Sequence, residues 1–300
     1  MKIAITGASG LIGTALVRAL GADGHEVIRL VRRTPRTADE HRWDPQHRRI
    51  DPALLADVDA VINLAGTPIR PRPFTSSYKQ RLIDSRIDAT TTISEALAAA
   101  AGDGRPRVLL SASAVGYYGD TGARVVTEQD PPGSDFLAQL CVQWEAATAP
   151  AEAAGVRVVH LRTGLVLDRS AMLVQVLGRI FRLGLGGRMG SGQQYWPWIS
   201  LTDEVGAIRH LLTADVSGPV NLTGPESVTN AEFTRELGRQ VHRPTPLPVP
   251  SFALNLALGE FGRSSVVGGQ RALPTRLRES GYEFTHANLS SALRAAFAAG

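Results

Sequence analysis

Lysine is almost absent from this chain of 300 residues. Lys2 and Lys79 are the lysines, and every other basic residue is arginine. A basic chain can indicate a nucleic-acid partner. Here, however, charges of both signs are interspersed, the net charge is +4, and no stripe of alternating basic and aromatic residues occurs. We therefore expect no nucleic-acid partner.

Cysteine and long apolar runs are also scarce. Cys141 is the only cysteine, so no disulfide can form within the chain. No apolar run approaches the roughly 18 residues of a membrane span. The apolar run between Lys2 and Gly7 is too short for the core of a secretory signal peptide. We therefore expect a cytoplasmic protein with no membrane partner.

What the sequence does contain is an alternation of short apolar runs and segments with helical spacing. The predicted strands are Lys2–Thr6, His25–Val31, Ala60–Leu64, Arg107–Ser111 and Val156–Leu161. The predicted helices are Leu11–Leu20, Arg86–Ala101 and Leu137–Ala154. This alternation predicts an α/β fold, a Rossmann-type doubly wound parallel sheet. Ligands of such sheets bind at the carboxyl ends of the strands. The residues expected at those ends are Gly7, Arg32, Ala65 and Ser111.

A glycine loop follows the first predicted strand. Thr6–Gly13 reads TGASGLIG, a spacing typical of dinucleotide binding when it joins a strand to a helix. Gly7 would permit the tight turn, Gly10 the approach of a phosphate, and Gly13 close helix packing. The diphosphate would then lie at the helix N-terminus. The predicted cofactor contacts in this loop are Gly7, Ser9, Gly10, Leu11, Ile12 and Gly13.

Two adjacent arginines indicate which dinucleotide binds. NAD-dependent proteins usually place Asp or Glu at the end of the second strand, where it holds the ribose 2′-hydroxyl. Arg32 and Arg33 stand there instead, and two guanidinium groups would bind a 2′-phosphate. We therefore expect NADP(H) as the cofactor. The alternative is a solvated arginine pair in an arginine-rich loop.

We expect two regions in the chain. Residues 1–163 would form the NADP-binding Rossmann domain, with some later segments returning to it. Residues 164–300 would form a smaller C-terminal substrate lobe. A proline-rich connector, Pro244–Pro250, precedes predicted helices at Phe252–Leu258 and Leu289–Phe297.

Several motifs resemble the extended short-chain dehydrogenases/reductases. TGASGLIG matches their TGxxGxxG form, and Asn63–Gly66 (NLAG) and Ser111–Gly119 (SASAVGYYG) resemble their motifs near the cofactor and the active-site serine. The resemblance implies that Leu64, Ala65 and Gly66 contact the cofactor. It also places Ser113 at the serine position and Arg86, as the first residue of a helix, where relatives have an asparagine near the cofactor. A surface helix charge is the alternative for Arg86.

The chain departs from that superfamily at its catalytic pair. The superfamily uses Tyr-x-x-x-Lys, in which the lysine lowers the pKa of the tyrosine that transfers the proton. Neither lysine here lies four residues after a tyrosine. Alignment puts Leu137 at the tyrosine position and Cys141 at the lysine position, where Cys141 would be a small apolar residue. The catalytic candidates are therefore Ser113, which could hydrogen-bond a substrate carbonyl, and Tyr118, if its pKa were lowered; packing is the alternative for Tyr118.

The segments DFLAQLCVQWE and RLGLGGRMGSGQQYWPWI are similar to a narrower group. That group is an atypical, epimerase-like branch described as predicted nucleoside-diphosphate-sugar epimerases. Its characteristic C-terminal segment would run here from about Pro248 through Gly268–Pro274 to the end. The stretch Gly186–Trp198 could bind a nucleotide or sugar nucleotide, although core packing explains its tryptophans equally well.

We expect no metal. His41, Asp44 and His47 lie close together in the sequence, but a solvated loop explains them better than a metal site.

Two functions remain open. One is an NADP-dependent oxidoreductase or epimerase acting on a small molecule that could be nucleotide-linked. The other is a non-catalytic NADP(H)-binding sensor or regulatory protein. The predicted long helices could also pair in a homodimer.

Overall fold

The computed structural model of the protein describes residues 1–245 and 248–297. Seven parallel strands form the central sheet. In chain order they are β1 (Lys2–Thr6), β2 (Glu26–Val31), β3 (Glu40–Arg42), β4 (Ala60–Asn63), β5 (Val108–Ala114), β6 (Arg157–Thr163) and β7 (Gly218–Leu222). Across the sheet the order is β7-β6-β5-β4-β1-β2-β3, the order of a doubly wound Rossmann sheet with one further edge strand. The predicted fold class is confirmed.

Helices cover both faces of this sheet and build the second lobe. They are α1 (Leu11–Ala22), α2 (Pro52–Ala56), α3 (Ser76–Ala100), α4 (Phe136–Ala146), α5 (Ala149–Ala153), α6 (Met172–Arg182), α7 (Leu201–Leu211), α8 (Asn230–Gln240), α9 (Ser251–Leu258), α10 (Thr275–Glu279) and α11 (Leu289–Phe297). Short helical turns lie at Pro45–His47, Ala101–Asp103, Val115–Tyr118 and Gly262–Val267. Short paired strands are Val125–Val126 with Arg271–Ala272, Leu165–Leu167 with Trp198–Ser200, and Tyr195–Trp196 with Val228–Thr229.

Three apolar cores hold these layers together. Helices α1 and α7 pack on one face of the sheet, where Leu16 and Ile208 are fully buried. Helices α2, α3 and α5 pack on the other face around Ile93. The third core joins α6, α8 and α11 around Trp198 and Phe233. The third core also contacts Leu11, at the N-terminus of α1, so it adjoins the end of the sheet where the glycine loop lies.

Helix α3 is longer than the sequence predicts. The prediction covers Arg86–Ala101, whereas α3 begins at Ser76, where the Thr75 hydroxyl accepts a hydrogen bond from the Tyr78 N–H. Polar residues dominate its first turns and hide the helical period. The buried face runs through Tyr78, Leu82, Arg86, Ala89, Ile93 and Leu97. Arg86 therefore lies in the middle of the helix on its buried face, and the prediction that it opens the helix is wrong.

The predicted helix Leu137–Ala154 is two helices, α4 and α5. Helix α4 ends at Ala146, and Pro150 lies in the first turn of α5. Proline has no N–H and its ring disfavours a helical residue before it, so one continuous helix cannot form. The break brings the buried Thr148 side chain toward β6.

Strand β5 extends beyond its predicted end at Ser111. It continues to Ala114, because Ser113 and Ala114 pair with Arg162 and Thr163 of β6. Ser111 is therefore a buried interior residue, and its predicted place at the carboxyl edge is wrong. Ser113 lies at that edge instead.

The remaining predictions concern helix length and the proline-rich connector. No helix within residues 1–245 and 248–297 is both long and apolar enough to cross a membrane. Helices α9 and α11 match the predicted C-terminal helices to within a residue. The predicted connector Pro244–Pro250 includes residues 246–247, which lie outside the described residues.

Two glycines of α1 form a matched test of the packing of this helix on the glycine loop. A methyl group added at Gly13 would overlap the Gly7 carbonyl oxygen and lie 2.8 Å from the Ala8 Cα, whereas nothing lies within 4 Å of one added at Gly21. We expect Gly13→Ala to lower the free energy of unfolding by about 1–3 kcal/mol. Gly21→Ala should raise it by up to about 1 kcal/mol. Urea unfolding measures both, and shifts of the same sign would contradict the prediction.

Candidate functional site

The glycine loop leaves the N-terminus of α1 without a protein cap. Gly10 is the N-cap residue, no side chain caps the helix, and its first turn has no acidic residue. Gly7 has a φ of +67°, and a Cβ there would lie 2.6 Å from the Leu64 carbonyl oxygen, so the turn requires glycine. The first N–H groups of a helix lack helical partners and attract anions. The accessible residues of this turn are Ser9, Gly10, Leu11 and Ile12, with Gly13 buried beneath them.

Thr6 connects the glycine loop to the segment after β4. Its hydroxyl oxygen accepts hydrogen bonds from the N–H groups of Leu64 and Ala65, both at 3.0 Å, and donates to Asn63 Oδ1 at 2.7 Å. The TGASGLIG motif includes Thr6, but the sequence alone predicts no role for its side chain. Its hydroxyl holds the half-buried Leu64 and Ala65, followed by the exposed Gly66, beside the glycine loop.

The two arginines after β2 lie in different environments. Arg33 donates to both carboxylate oxygens of Glu40, at 2.7 and 2.6 Å. Hydrogen bonding by Arg33 lowers the pKa of Glu40 to about 2, so this ion pair persists at neutral pH. Arg32 is exposed and has no hydrogen-bond or ion-pair partner in the described part of the chain. Arg32 is therefore the guanidinium that remains available for an anion.

Arg86 is buried next to the segment after β4. Its exposure is 7%, so the alternative of a surface charge is wrong. Its Nη1 donates to the carbonyl oxygens of Thr67 and Leu82, both at 3.1 Å, and its guanidinium lies 4.8 Å from the Trp144 ring centre. Its Nε has no partner among the described residues, and burial lowers its pKa. A Cβ added at Gly66 would lie 3.4 Å from the Arg86 side chain.

One face of α4 carries the positions where relatives have their tyrosine and lysine. Leu137 and Cys141 occupy them, and Glu145 follows one turn later. Burial raises the pKa of the Cys141 thiol to about 12. Cys141 is therefore a neutral, buried residue, in agreement with the interpretation as a small apolar side chain, and this face presents its first ionised group at Glu145.

The Ser113 hydroxyl is hydrogen-bonded to the Glu145 carboxylate. Its hydroxyl donates a hydrogen bond to Glu145 Oε1 at 2.6 Å. Arg162 binds both oxygens of Glu145, at 2.8 Å each. Because the single hydroxyl proton points at Glu145, the Ser113 oxygen can act toward a further partner only as an acceptor. Donation to a substrate carbonyl, as the sequence analysis suggests, would require Ser113 to give up a hydrogen bond to a charged group.

Tyr118 is a buried residue in this structure. Its hydroxyl donates to Asn221 Oδ1 at 2.7 Å and accepts from Arg162 at 3.0 Å. Burial raises its pKa to about 12, so the lowered pKa that a proton-donor role needs is absent. The neighbouring Tyr117 is half-buried, with the Arg162 guanidinium 3.4 Å from its ring centre.

Residues Ser113, Arg162 and Asn221 form a row across three strands. Ser113 of β5 pairs in register with Arg162 of β6, which pairs with Asn221 of β7. All three are buried. The sequence motifs predict Ser113 but neither Arg162 nor Asn221. The available signal for Arg162 was a charged residue next to Leu161, near the end of the predicted buried strand Val156–Leu161.

The stretch Gly186–Trp198 is divided between loop and core. Trp196 and Trp198 are buried in the third core, and the Trp196 ring lies 5.1 Å from that of Phe233. Core packing is thus the correct interpretation of these tryptophans. Arg188 is exposed and donates to the Ser191 carbonyl oxygen.

No group of three or more His, Cys, Asp or Glu residues that could hold a metal ion occurs within residues 1–245 and 248–297. His47 and Asp44 form a pair at 2.8 Å on the surface.

Glu204 is a buried acid that the sequence analysis did not single out. It lies in the first turn of α7 and accepts a hydrogen bond from the Thr163 hydroxyl at 2.8 Å. Its second oxygen has no partner among the described residues. Burial raises its pKa to about 8, so the protonated form predominates at neutral pH.

This geometry can be compared with known proteins. Residues 3–223 match the NAD dependent epimerase/dehydratase family, and residues 249–296 match a domain of unknown function, DUF1731. The chain belongs to the NAD dependent epimerase/dehydratase family. The predicted membership of the epimerase-like branch with its C-terminal segment is confirmed.

Relatives in this family span the whole chain. Epimerase family protein Mb2239 of Mycobacterium bovis is 50% identical over 97% of this chain and 96% of its own length. Human epimerase family protein SDR39U1 is 35% identical over 98% and 99%. The crystal structure of human SDR39U1 isoform 2 with NADPH matches with a TM-score of 0.88 and 31% identity, over 99% of both chains. A nucleoside-diphosphate sugar epimerase from Corynebacterium glutamicum matches with a TM-score of 0.81 and 33% identity, over 99% of this chain and 58% of that one.

Glu204 predicts a specific pH dependence of stability. The pKa of a glutamate in an unfolded chain is about 4.3, well below the folded value of about 8. Its contribution to stability is thus complete below about pH 4 and is lost as the pH rises to about 8. We expect Glu204→Gln to be more stable than the native protein at pH 8, by at least about 2 kcal/mol, and the difference to shrink toward pH 5. Urea unfolding against pH, with the exposed Glu26→Gln as control, measures this; a difference independent of pH would contradict it.

Proposed function

We propose that the protein binds NADP(H) across the carboxyl edge of the sheet. The uncapped N-terminus of α1 suits the diphosphate, because its free N–H groups and helix dipole favour negative charge. Gly10 leaves room for close approach of that group. Family membership supports a nicotinamide dinucleotide, and the relative human SDR39U1 was crystallised with NADPH. The proposed contacts are Gly7, Ser9, Gly10, Leu11, Ile12, Leu64, Ala65, Gly66 and Arg86.

We assign different roles to the two arginines at the adenosine end. Arg32, exposed and unpaired in the described chain, would bind the 2′-phosphate. Arg33 would hold the shape of the loop through its two hydrogen bonds to Glu40. A hydrogen bond between charged groups contributes roughly 1.5–3 kcal/mol, which is enough for a preference of tenfold or more for NADP(H) over NAD(H).

We further propose that the protein is an enzyme that oxidises and reduces a carbon bearing a hydroxyl or carbonyl group. A bound nicotinamide supplies or accepts a hydride. The observation that carries this proposal is the hydrogen bond from Ser113 to Glu145 at the edge of the sheet. The Ser113 oxygen can accept a hydrogen bond from a substrate hydroxyl, and we propose a small, nucleotide-linked alcohol as substrate because a structural relative is named a nucleoside-diphosphate sugar epimerase.

A non-catalytic sensor is the second candidate. The burial of Tyr118 and the apolar residues Leu137 and Cys141 at the positions of the usual catalytic pair favour it. Incubation of the NADPH complex with a metabolite mixture discriminates the two, when the absorbance of reduced nicotinamide and the masses of products are followed. Tight binding of NADPH without turnover across a broad panel would favour the sensor.

The cytoplasm remains our predicted location. An Arabidopsis thaliana relative is named chloroplastic, so the family is not confined to one compartment.

Binding measurements test the cofactor proposal. We expect Arg32→Ala to weaken NADPH binding by about tenfold or more and to leave NADH binding nearly unchanged, because only NADPH carries the 2′-phosphate. Arg33→Ala should affect NADPH less than Arg32→Ala does. Isothermal titration calorimetry with both cofactors measures the ratio of the NADPH and NADH dissociation constants. Equal affinity of the native protein for NADPH and NADH would contradict the proposal.

Two serines of β5 form a matched pair for the catalytic proposal. Ser113→Ala should lower turnover of a substrate found in the metabolite screen by about 10²- to 10⁴-fold and leave the NADPH dissociation constant unchanged. Ser111 is buried on the same strand and has no hydrogen-bond partner for its hydroxyl among the described residues. Ser111→Ala should therefore retain native turnover. Equal turnover of the two variants would rule out a role for Ser113.

A further inference from the structure

A series of polar groups, hydrogen-bonded except for one gap between Glu145 and His160, leads from Ser113 to the surface. Ser113 donates to Glu145 at 2.6 Å, and Glu145 Oε2 lies 3.9 Å from Nδ1 of His160. Nε2 of His160 lies 2.9 Å from the Thr148 hydroxyl and 3.4 Å from Glu152. Thr148 also contacts the Glu152 carboxylate at 2.8 Å. The first four residues are buried or nearly so, whereas the Glu152 side chain is 48% exposed.

We propose that this series is a proton path, in which Glu145 receives the proton that passes through Ser113, and His160 transfers it to Glu152 and solvent. The proposal rests on the hydride-transfer function above. It gives Glu145 and His160 the task that the tyrosine–lysine pair performs in relatives.

The step balances in the oxidising direction. A bound oxidised nicotinamide would accept the hydride that the substrate carbon gives up, and the substrate oxygen would lose its proton to Ser113 Oγ. The O–H bond of Ser113 breaks at the same time, and that proton moves to Glu145 Oε1 along the existing hydrogen bond. The products are a carbonyl compound, the reduced cofactor and one proton on Glu145. Reduction follows the same path in reverse.

The proton does not remain on Glu145. Arg162 donates hydrogen bonds to both carboxylate oxygens of Glu145, and a proton on Glu145 competes with these bonds for the oxygen lone pairs. His160 is the next acceptor, because burial lowers its pKa and keeps the imidazole neutral at rest. One ring nitrogen of His160 faces Glu145 and the other faces Glu152, so the ring can accept a proton at one nitrogen and release a proton from the other. Transfer to His160 requires the Glu145 carboxyl group to turn its protonated oxygen toward Nδ1, which lies 3.9 Å from Oε2, and to approach it by about 1 Å.

Charged groups on three elements face His160. They are Glu145 on α4, Glu152 on α5 and Arg162 on β6. The Thr148 hydroxyl, between α4 and α5, also contacts the ring. The neighbours of His160 in the sheet, Ser111 of β5 and Pro219 of β7, carry no charge.

The test uses the whole protein and needs no substrate. In protein labelled with ¹⁵N-histidine, the His160 signals are assigned by their loss in His160→Gln. We expect the ring N–H of His160 to exchange with solvent rapidly for a buried group, and Glu152→Gln to slow this exchange by about tenfold or more. Glu152→Gln should also shift the titration of His160 to lower pH, since a carboxylate that favours the imidazolium is removed.

Two controls separate a proton path from a packing role. Glu152→Asp keeps the carboxylate and should retain most of the exchange of the His160 ring N–H. Glu26 is an exposed acid on β2 that pairs with Lys2, and Glu26→Gln should change neither the exchange nor the titration of His160. Exchange or titration of His160 that is unaffected by Glu152→Gln would overturn the proposal. NADPH binding is measured on the same samples and should be unchanged. Failure of the native protein to bind NADPH would refute the proposed function, whereas the exchange result tests the path alone.

Discussion

The ion pair between Glu145 and Arg162 joins α4 to the centre of the sheet, and the polar groups around Ser113 are arranged on it. It holds the hydroxyl proton of Ser113, and Arg162 extends from it to the ring of Tyr117 and the hydroxyl of Tyr118. Removing one partner of a buried pair costs about 3–5 kcal/mol, because an unpaired charge remains. The arrangement of the cleft therefore depends on both residues together.

Charge is distributed on α4 differently from the Tyr-x-x-x-Lys pattern that the resemblance implies. Leu137 and Cys141 occupy the two aligned positions, and Glu145 carries a carboxylate one turn later, beside β6. Arg86 on α3 lies against Gly66. The charged groups near Ser113 therefore lie at the C-terminal end of α4 and on the strand that carries Arg162 and His160.

The parts that the sequence predicts are those encoded by neighbouring residues. Strand β1, the glycine loop and Ser113 follow from short motifs, and the alternation of elements gives the sheet. The partners of Ser113 do not follow from short motifs. Glu145 and Arg162 are brought together by tertiary packing, and charged residues are usually exposed. Physical signals nevertheless existed: Arg86 falls on the apolar period of α3, and Pro150 interrupts a predicted helix.

The C-terminal segment forms hydrogen bonds with the residues that surround Tyr118. Asn221, which accepts the hydrogen bond from Tyr118, donates to the Leu273 carbonyl oxygen. The buried Glu128 accepts from the backbone N–H groups of both Asn221 and Arg276. Residues 249–296 therefore complete the environment of the buried tyrosine instead of forming an independent appendage. A change in the packing of this segment would reach Arg162 through Asn221 and Tyr118, which gives the matched family region and the DUF1731 region a physical reason to occur in one chain.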